Sequence, residues 1–273
     1  MYPADYYAYQ DKFQVSKWRQ FAKKVLGYHI GTKDPGFPSP GRVLDIGCGS
    51  GWWLEGMRAQ GWETFGVEIS EQAAALGRIS KGLQIFAGTL EDASFDEQSF
   101  DFVRANHSLE HISCPNETLD TVHRILKPEG KFMVGVPNVN SFNARLFGEY
   151  WWHLCAPVHT FSYSVKTLSH LLDKHGFRVE RVKFNSDYFG ILGSFQIWLN
   201  RNTKKKSMQG FFVNSYPLRL LCQWMANLTD LFGCGDMIEI TAVKLNRPST
   251  RRDALPLAYA DGNESVSDIP ACK

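Results

Sequence analysis

Three alternating glycines follow an aspartate in the stretch Val43–Gly51, which reads VLDIGCGSG. The apolar run around Asp45 predicts a buried strand, and the residues after Gly51 predict the start of a helix. Glycines at such a turn let the backbone bend sharply and approach a ligand, while the first N–H groups of the helix face the same space. The pattern predicts a binding loop of the kind that nucleotide-binding folds share.

The spacing and the charges around this loop select among nucleotide ligands. The glycines follow a GxGxG pattern, whereas dinucleotide folds use GxGxxG, and no lysine follows as in a P-loop. Asp45 precedes the first glycine by two residues, where a carboxylate repels a pyrophosphate and attracts an amino-acid ammonium group. Glu68 ends the next predicted strand, where an acid accepts hydrogen bonds from both ribose hydroxyls. Together these residues predict a site for S-adenosylmethionine.

The elements that must position these residues alternate along the chain. Helical patterns at about 51–60, 70–80 and 116–127 lie between the early strands. The predicted strands are 42–46, 62–67, 83–87, 100–105, 131–136, 177–184 and 237–244. This order predicts an α/β fold, a seven-stranded, mainly parallel sheet with helices on both faces.

Four segments make up the predicted organisation. Residues 1–41 predict an N-terminal helix and a linker, residues 42–245 form the main domain, and residues 246–273 predict a disordered tail. A helical insertion at 187–235 comes before the last strand, with the basic run Lys204–Lys206 at its middle. Its second half has an apolar stripe at helical spacing, formed by Leu221, Trp224, Met225, Leu228, Leu231 and Phe232. This insertion predicts a lid, a homodimer contact or a peripheral membrane contact.

The composition of the 273 residues bounds the class of protein. Lys and Arg number 30 against 28 Asp and Glu, and a net charge of +2 argues against a nucleic-acid partner. Six scattered cysteines without a CxxC pair predict free thiols and no zinc site. We expect neither a signal peptide nor a transmembrane helix, which needs about 20 apolar residues. The predicted location is cytoplasmic, with membrane-peripheral binding as the alternative.

Further motifs make the chain similar to the class I S-adenosylmethionine-dependent methyltransferases, over about residues 40–186 and the last strand. These motifs are AGTLED at 87–92, SFDFV at 99–103, LEHI at 109–112, RILKPEG at 124–130 and VPN at 136–138. The branch that it resembles includes ubiquinone-biosynthesis O-methyltransferases and enzymes linked to surface-glycan pathways. The resemblance implies a Rossmann-like sheet, S-adenosylmethionine as cofactor and S-adenosylhomocysteine as product.

The resemblance also implies which residues hold the cofactor. They are Asp45, Gly47, Cys48, Gly49, Gly51, Glu68, Ile69, Leu90, Glu91, Asn106 and His107. Family members often have Asp where this chain has Thr89, so the adenine contact is expected from Glu91 or from the backbone at Leu90. Asn106 and His107 are expected beneath the sulfonium.

Three histidines on loops after strand ends are the catalytic candidates, namely His107, His111 and His159. A sulfonium is already a strong electrophile, so the protein mainly aligns the acceptor, and a base helps only when the acceptor is a hydroxyl or an ammonium. Histidine suits that role at neutral pH. For His159 the alternative is a cap on the helix that starts near Ser164, and for His111 it is the orientation of its loop.

The acceptor is expected to contact an aromatic loop that contains Tyr150, Trp151, Trp152 and His159. For the three aromatic residues, packing in the core or in a lid is an equal alternative. The ubiquinone enzymes that this stretch resembles bind a divalent metal through two acids and a histidine. Here His107 replaces the first acid, so we predict no metal.

The predicted reaction is methyl transfer to a small-molecule or glycan acceptor, most readily at oxygen. Methylation of a nucleic acid or a protein is one alternative, although Asn106-His107-Ser108-Leu109 lacks the Asn/Asp-Pro-Pro-aromatic signature of base N-methylation. A nicotinamide-dependent oxidoreductase is another, and the GxGxG spacing and Asp45 count against it. A non-catalytic protein that keeps the fold as a scaffold is the last.

Overall fold

The computed structural model describes residue 37 and residues 39–202 and 210–246. Most of the predicted segment 1–41, the lysines at 204–206 and nearly all of the predicted tail lie outside the described residues. The strands are β1 (Arg42–Ile46), β2 (Glu63–Glu68), β3 (Gln84–Ala87), β4 (Phe100–Asn106), β5 (Leu126–Pro137), β6 (Phe177–Phe184) and β7 (Met237–Lys244). The α-helices are α1 (Trp52–Arg58), α2 (Glu71–Lys81), α3 (Pro115–Ile125), α4 (Phe142–Phe147), α5 (Val165–Lys174), α6 (Tyr188–Leu199), α7 (Phe211–Asn214) and α8 (Tyr216–Leu231).

The seven strands form one sheet in the order β3-β2-β1-β4-β5-β7-β6. Strand β2 is parallel to both β1 and β3, as expected where a helix connects consecutive strands. Strand β7 is antiparallel to both β5 and β6. Helices α6 to α8 stand between β6 and β7, where the insertion was expected. The predicted seven-stranded, mainly parallel α/β sheet with a helical insertion is therefore confirmed.

The chain divides into two compact units. The first unit contains the residues up to Arg104 together with Arg124–Gly130, and the second contains Ala105–His123 and the residues from Lys131 onward. Fully buried side chains of the first unit include those of Leu44, Leu54, Met57 and Phe100. Those of the second unit include Leu119, Phe132, Leu168 and Phe177.

Short polar residues fix where several helices begin. The hydroxyl of Ser70 accepts a hydrogen bond from the backbone N–H of Ala73 at the start of α2. Ser164 and Thr167 form a reciprocal capping box at the start of α5. The carboxylate of Asp187 accepts the N–H of Phe189 at 2.9 Å at the start of α6. These caps set the ends of the loops that precede the helices.

Strand β5 begins at Leu126, five residues before its predicted start at 131. The backbone N–H groups of Gln98 and Ser99 donate to the carbonyl oxygens of Arg124 and Ile125, just before this strand. A proline and a glycine in the stretch 127–130 are typical of a turn, and this is why the sequence pattern places the strand too late.

The structure tests two predictions that were made from the composition, on membrane-spanning helices and on cysteines. Across the described residues, no helix is long and apolar enough to cross a bilayer. Cys48, Cys155, Cys222 and Cys234 are free thiols, whereas Cys114 is disulfide-bonded. The prediction that the cysteines are all free thiols is wrong for Cys114, because spacing along the chain does not show which cysteines approach each other in the fold. Cys272 lies outside the described residues.

Candidate functional site

Backbone hydrogen bonds hold the glycine loop of the first unit against β2. The N–H groups of Gly47 and Cys48 both donate to the carbonyl oxygen of Val67, at 2.8 and 3.1 Å. Gly47, Gly49 and Gly51 have φ angles of 72°, 56° and 73°, in the left-handed region that other residues rarely adopt. The path of the loop therefore depends on all three glycines.

Gly51 and Cys48 also have packing roles in this loop. A Cβ at Gly51 would lie 2.4 Å from Cδ1 of Leu83, so the third glycine lets α1 begin close to the core. The side chain of Cys48 is 5% exposed, and its Sγ lies 2.6 Å from the place that a Cβ on Gly66 would take. Burial raises the pKa of the Cys48 thiol. Cys48 can therefore offer a ligand its backbone but not its side chain.

Glu68, at the end of β2, is anchored beside the loop. Its Oε2 accepts the N–H of Gly49 at 2.9 Å, and its Oε1 accepts the N–H of Ser70 at 2.8 Å. The next residue, Ile69, is 72% exposed, although most large apolar side chains of this unit are buried. A fixed carboxylate next to an open apolar side chain offers one surface for ribose hydroxyls and another for a flat ring.

Asp45, on β1, already has a cationic partner. Nη1 of Arg104 lies 2.9 and 3.0 Å from the two carboxylate oxygens, and the guanidinium group stacks 4.6 Å from the ring centre of Trp53. Burial raises the pKa of Asp45, while the nearby Arg104 charge opposes that rise. The positive charge of Arg104 therefore neutralises much of the Asp45 charge that was expected to attract a ligand ammonium group. No motif in the sequence marks Arg104, because the ion pair joins two strands.

The predicted adenine-side residues differ in exposure. Leu90 is 3% exposed, so its side chain belongs to the core, whereas Glu91 is exposed. The hydroxyl of Thr89 donates to Oδ2 of Asp92 at 2.8 Å, and the N–H of Asp92 donates back to the Thr89 hydroxyl. Asp92 therefore brings a carboxylate into contact with Thr89, the residue that stands where family members often have Asp. The sequence did not predict this contact.

In the second unit, Asn106 and His107 mark the end of β4. Oδ1 of Asn106 lies 2.3 Å from the place that a Cβ at Gly135 would take, so a glycine at 135 makes room for the Asn106 side chain. His107 has a φ of 55°, and its N–H donates to the carbonyl of Gly135 at 2.8 Å. Its exposed ring has Nδ1 3.6 Å from Oε1 of Glu110. Left-handed backbone at a histidine is a strained conformation that the packing must hold.

A cluster of two histidines and a buried acid lies nearby in the same unit. The rings of His111 and His159 are 4.7 Å apart, and one ligand atom from each, with one from Glu110, lies within 4.8 Å of the others. Glu110 is 1% exposed, and neither of its carboxylate oxygens has a hydrogen-bond partner in the described part of the chain. The fold thus brings His159 to the Glu110-His111 motif.

Hydrogen bonds to backbone carbonyls define which nitrogen of each ring carries a proton. Nδ1 of His159 lies 2.9 Å from the carbonyl oxygen of His153, and Nδ1 of His111 lies 3.1 Å from that of Val158. A carbonyl oxygen only accepts, so each Nδ1 carries a proton and Nε2 of a neutral ring carries the lone pair. Burial lowers the pKa of His159. A neutral ring with a basic Nε2 is the form that a general base requires.

The same three residues are of the types that bind a divalent transition metal. Imidazole nitrogens and a carboxylate are common ligands, and an Nδ1–H bonded to a carbonyl orients Nε2 for a metal. The prediction of no metal was based on His107, which stands in place of the first acid of the ubiquinone enzymes. The fold brings His159, from a different loop, to Glu110 and His111.

Trp151 does not fit its predicted place in an acceptor platform. It is 4% exposed, and its Nε1–H donates to Oδ1 of the fully buried Asp236 at 2.9 Å. The Asp236 carboxylate also accepts from Ser141 and Asn143, at 2.7 and 2.6 Å. Of the two alternatives for Trp151, the structure shows packing in the core, because a buried carboxylate needs donors and Trp151 supplies one.

The other residues of the aromatic loop are less enclosed. Tyr150 and Trp152 are both half-buried, and the Trp152 ring lies 6.3 Å from that of Phe189. His153, for which the sequence predicts no role, is also half-buried, but its Nε2 is buried, and burial lowers the pKa of its ring to about 3. The backbone carbonyl of His153 accepts a hydrogen bond from Nδ1 of His159 and so ties this loop to the His159 ring.

A family model of a methyltransferase domain matches residues 14–182, well over half of the chain. The chain therefore belongs to this family, the class I S-adenosylmethionine-dependent methyltransferases. The predicted family is confirmed, and with it S-adenosylmethionine as the cofactor of the class.

Individual relatives are more distant. The ubiquinone biosynthesis O-methyltransferase of Azoarcus sp. (strain BH72) is 34% identical over 112 residues, which cover 39% of this chain and 48% of that protein. The chain spans about half the length of the curated relatives it matches.

Solved structures extend the comparison to the fold. A methyltransferase of Archaeoglobus fulgidus has a TM-score of 0.54 at 24% identity, over 83% of this chain and 94% of its own. Phosphoethanolamine N-methyltransferase 2 of Haemonchus contortus, bound to S-adenosyl-L-methionine, has a TM-score of 0.52 at 20% identity, over 86% of this chain and 59% of its own. At these identities the similarity establishes the fold alone.

Proposed function

We propose that this protein transfers a methyl group from S-adenosylmethionine to an oxygen atom of a small-molecule or glycan acceptor. The observation that carries the proposal is Glu68, whose two oxygens are fixed by backbone N–H groups beside the glycine loop. A carboxylate fixed there suits two ribose hydroxyls, and the exposed Ile69 suits the adenine face. Asp45 is already paired to Arg104, so Glu68 is the carboxylate of the two that remains for a ligand.

Calorimetry with S-adenosylhomocysteine and with NAD tests the cofactor assignment. We expect micromolar binding of S-adenosylhomocysteine, about −8 kcal/mol, and no binding of NAD. Glu68→Ala should weaken S-adenosylhomocysteine binding by at least about tenfold, since hydrogen bonds to a charged group contribute about 1.5–3 kcal/mol. Glu117→Ala removes an exposed acid of α3 and should leave binding unchanged. Binding of NAD alone would restore the oxidoreductase alternative.

We infer that His159 is the general base. The bound cofactor supplies a methyl carbon whose bond to sulfur breaks, with its electron pair leaving on sulfur, as the acceptor oxygen attacks. The acceptor hydroxyl gives its proton to Nε2 of His159. The bond from Nδ1 to the His153 carbonyl supports this role because it leaves Nε2 as the basic nitrogen. The half-buried Tyr150 and Trp152, on the same loop, are then the aromatic contacts for the acceptor.

The acceptor class is tested with S-adenosylmethionine carrying a labelled methyl group. Phenols, sugars, carboxylic acids, amines, a mixed peptide pool and single-stranded nucleic acid are offered separately. We expect label in hydroxyl-bearing small molecules or sugars. Label confined to peptides or to nucleic acid would overturn the proposed acceptor class and favour one of the macromolecular alternatives.

A second mechanism for the same reaction is favoured by the proximity of Glu110, His111 and His159. A divalent cation held by these residues would lower the pKa of the acceptor hydroxyl, and His159 would then be a ligand and not a base. Dialysis against a chelator separates the two. Activity that is lost and then restored by Mn²⁺ or Zn²⁺ supports the metal, whereas unchanged activity supports the base.

A further inference from the structure

The insertion turns large apolar side chains towards solvent. Phe211 is 78% exposed, Trp224 is 61% exposed, and Leu231 and Phe232 are 78% and 77% exposed at the end of α8. We call these residues the apolar face, together with Tyr216, Leu220, Leu221 and Met225. Exposed apolar residues that are grouped in this way mark a binding surface for a protein, a membrane or a ligand.

Helix α8 packs through its small and polar side. Its buried residues are Cys222 and Ala226, not the larger residues of the stripe. On the same side, Gln223 donates to the carbonyl of Ser186, and the carboxylate of Asp230 accepts the N–H of Ser186 at 2.8 Å. A surface helix ordinarily buries its apolar side. Here these hydrogen bonds, together with the packing of Cys222 in an apolar cluster, fix the helix with the larger apolar residues outward, so the apolar face is a feature of the folded protein.

All charged residues of the insertion between 188 and 229 are positive. Residues 188–229 contain no Asp or Glu, and their charged residues are Arg201, Lys204, Lys205, Lys206 and Arg219. The acids at its two ends are directed inward, since Asp187 caps α6 and Asp230 accepts from Ser186. The chain as a whole has a net charge of only +2, so the lack of acids gives this segment more net positive charge than the whole chain has.

We propose that the apolar face binds an anionic membrane surface, with α8 lying in the head-group region. Lipid phosphates supply the negative charge that the segment lacks, and tryptophan and tyrosine favour the boundary between head groups and acyl chains. A second copy of the chain fits less well. A twofold interface would bring together two copies of a segment whose described charges, Arg201 and Arg219, are both positive, with no acid within 188–229 to balance them. This inference is independent of the acceptor and of the base.

Co-sedimentation of the full chain with vesicles tests the proposal. One set of vesicles is phosphatidylcholine alone, and the other is phosphatidylcholine and phosphatidylglycerol in equal parts. We expect binding to the second set only, and release as added salt screens the charges. Trp224→Ser should lower the partition coefficient by at least about tenfold, since it removes a large apolar side chain from the buried surface. Ile79→Ser, at an 86% exposed position of α2, is the matched control and should bind like the unmodified chain.

Two results would overturn the proposal. One is the absence of binding to both sets of vesicles at low salt. The other is a salt-resistant dimer in sedimentation velocity that Trp224→Ser dissociates, because the apolar face would then bind a second copy. S-adenosylhomocysteine binding reports that the variant is folded, and Leu231→Ser, at the exposed end of α8, replaces Trp224→Ser if it is not.

Discussion

The glycine loop of the first unit and the histidine cluster of the second differ in how far their polar groups are satisfied. Both oxygens of Glu68 accept backbone N–H groups, whereas the two oxygens of the more deeply buried Glu110 accept none from the described residues. A buried polar group without a partner costs stability and is common where a protein binds or reacts. The loop is thus a completed binding structure, and the cluster keeps capacity for a proton, a cation or an acceptor.

The two regions also differ in how they are assembled. The loop comes from one stretch of chain, and the glycines define its backbone path. The cluster joins Glu110 and His111 to His159, which belongs to a different loop and is held by the carbonyl of His153. Substitutions should therefore affect stability and cofactor binding in the loop, and turnover in the cluster.

The largest expected effect is in the cluster. His159→Ala should lower kcat about 100- to 10,000-fold, the usual contribution of a general base, and leave S-adenosylhomocysteine affinity unchanged. The measurement pairs methyl-transfer kinetics with calorimetry. His170→Ala, at an exposed histidine of α5, is the control and should retain full activity. A fully active His159→Ala enzyme would remove the distinction between the two regions.

The next effect is on the buried ion pair beside the loop. Arg104→Met should lower the free energy of unfolding by about 3–5 kcal/mol, because it leaves a buried carboxylate uncompensated. The side chains of Arg104 and Asp45 are 12% and 3% exposed, so solvent cannot replace the lost partner. Urea unfolding at pH 7 measures the change. Asp45→Leu combined with Arg104→Met should recover much of it, and a combined loss equal to that of Arg104→Met alone would contradict the explanation.

A smaller effect separates backbone strain from packing. Gly51→Ala should lower the free energy of unfolding by about 2–4 kcal/mol, since it combines left-handed strain with overpacking against Leu83. Gly148→Ala has a similar positive φ, and its added Cβ would have nothing within 4 Å. That control should lose only about 1–2 kcal/mol, from the strain alone. Equal losses would show that packing at Gly51 has no role.

Two adjacent tryptophans sharpen the contrast between core and surface within the second unit. Trp151→Phe should cost about 1–3 kcal/mol of unfolding free energy, because Asp236 loses a buried donor. Trp152→Phe should cost less, since the bond from Trp152 to Ser194 is made by its backbone N–H and survives the change. Thermal unfolding of the two variants, side by side, measures the difference. A larger loss for Trp152→Phe would reverse the assignment.

The smallest expected effect is on the acid limb of the pH profile of kcat/KM. Burial disfavours the charged ring and lowers the pKa of His159 below its ordinary value of 6.5. The neutral ring is the form that accepts a proton, so kcat/KM should stay level as the pH falls through 6.5 and decline only at lower pH. An acid limb with its midpoint above 6.5 would contradict the assignment, and so would an unchanged limb in His159→Gln.

Local patterns predicted much of the fold and one of the two regions. The strands β1, β6 and β7 have their predicted bounds, and Glu68 ends β2 beside the loop as expected. These predictions work because strand alternation, glycine φ angles and helix starts depend on a few neighbouring residues. The start of β5 was misplaced because a proline and a glycine are typical of a turn. The sequence also left open which way the apolar stripe of α8 faces, because periodicity shows that a stripe exists but not whether it faces the core or the solvent.

The sequence by itself determined the class of protein, because the alternation of strands and helices and the three glycines are encoded in contiguous residues. Only the tertiary structure decided which side chains became partners across the fold. It paired Arg104 with Asp45, placed His159 beside Glu110 and turned Trp151 into the core towards Asp236. Each of these outcomes depends on the group that lies opposite a residue, and that group comes from a distant part of the chain.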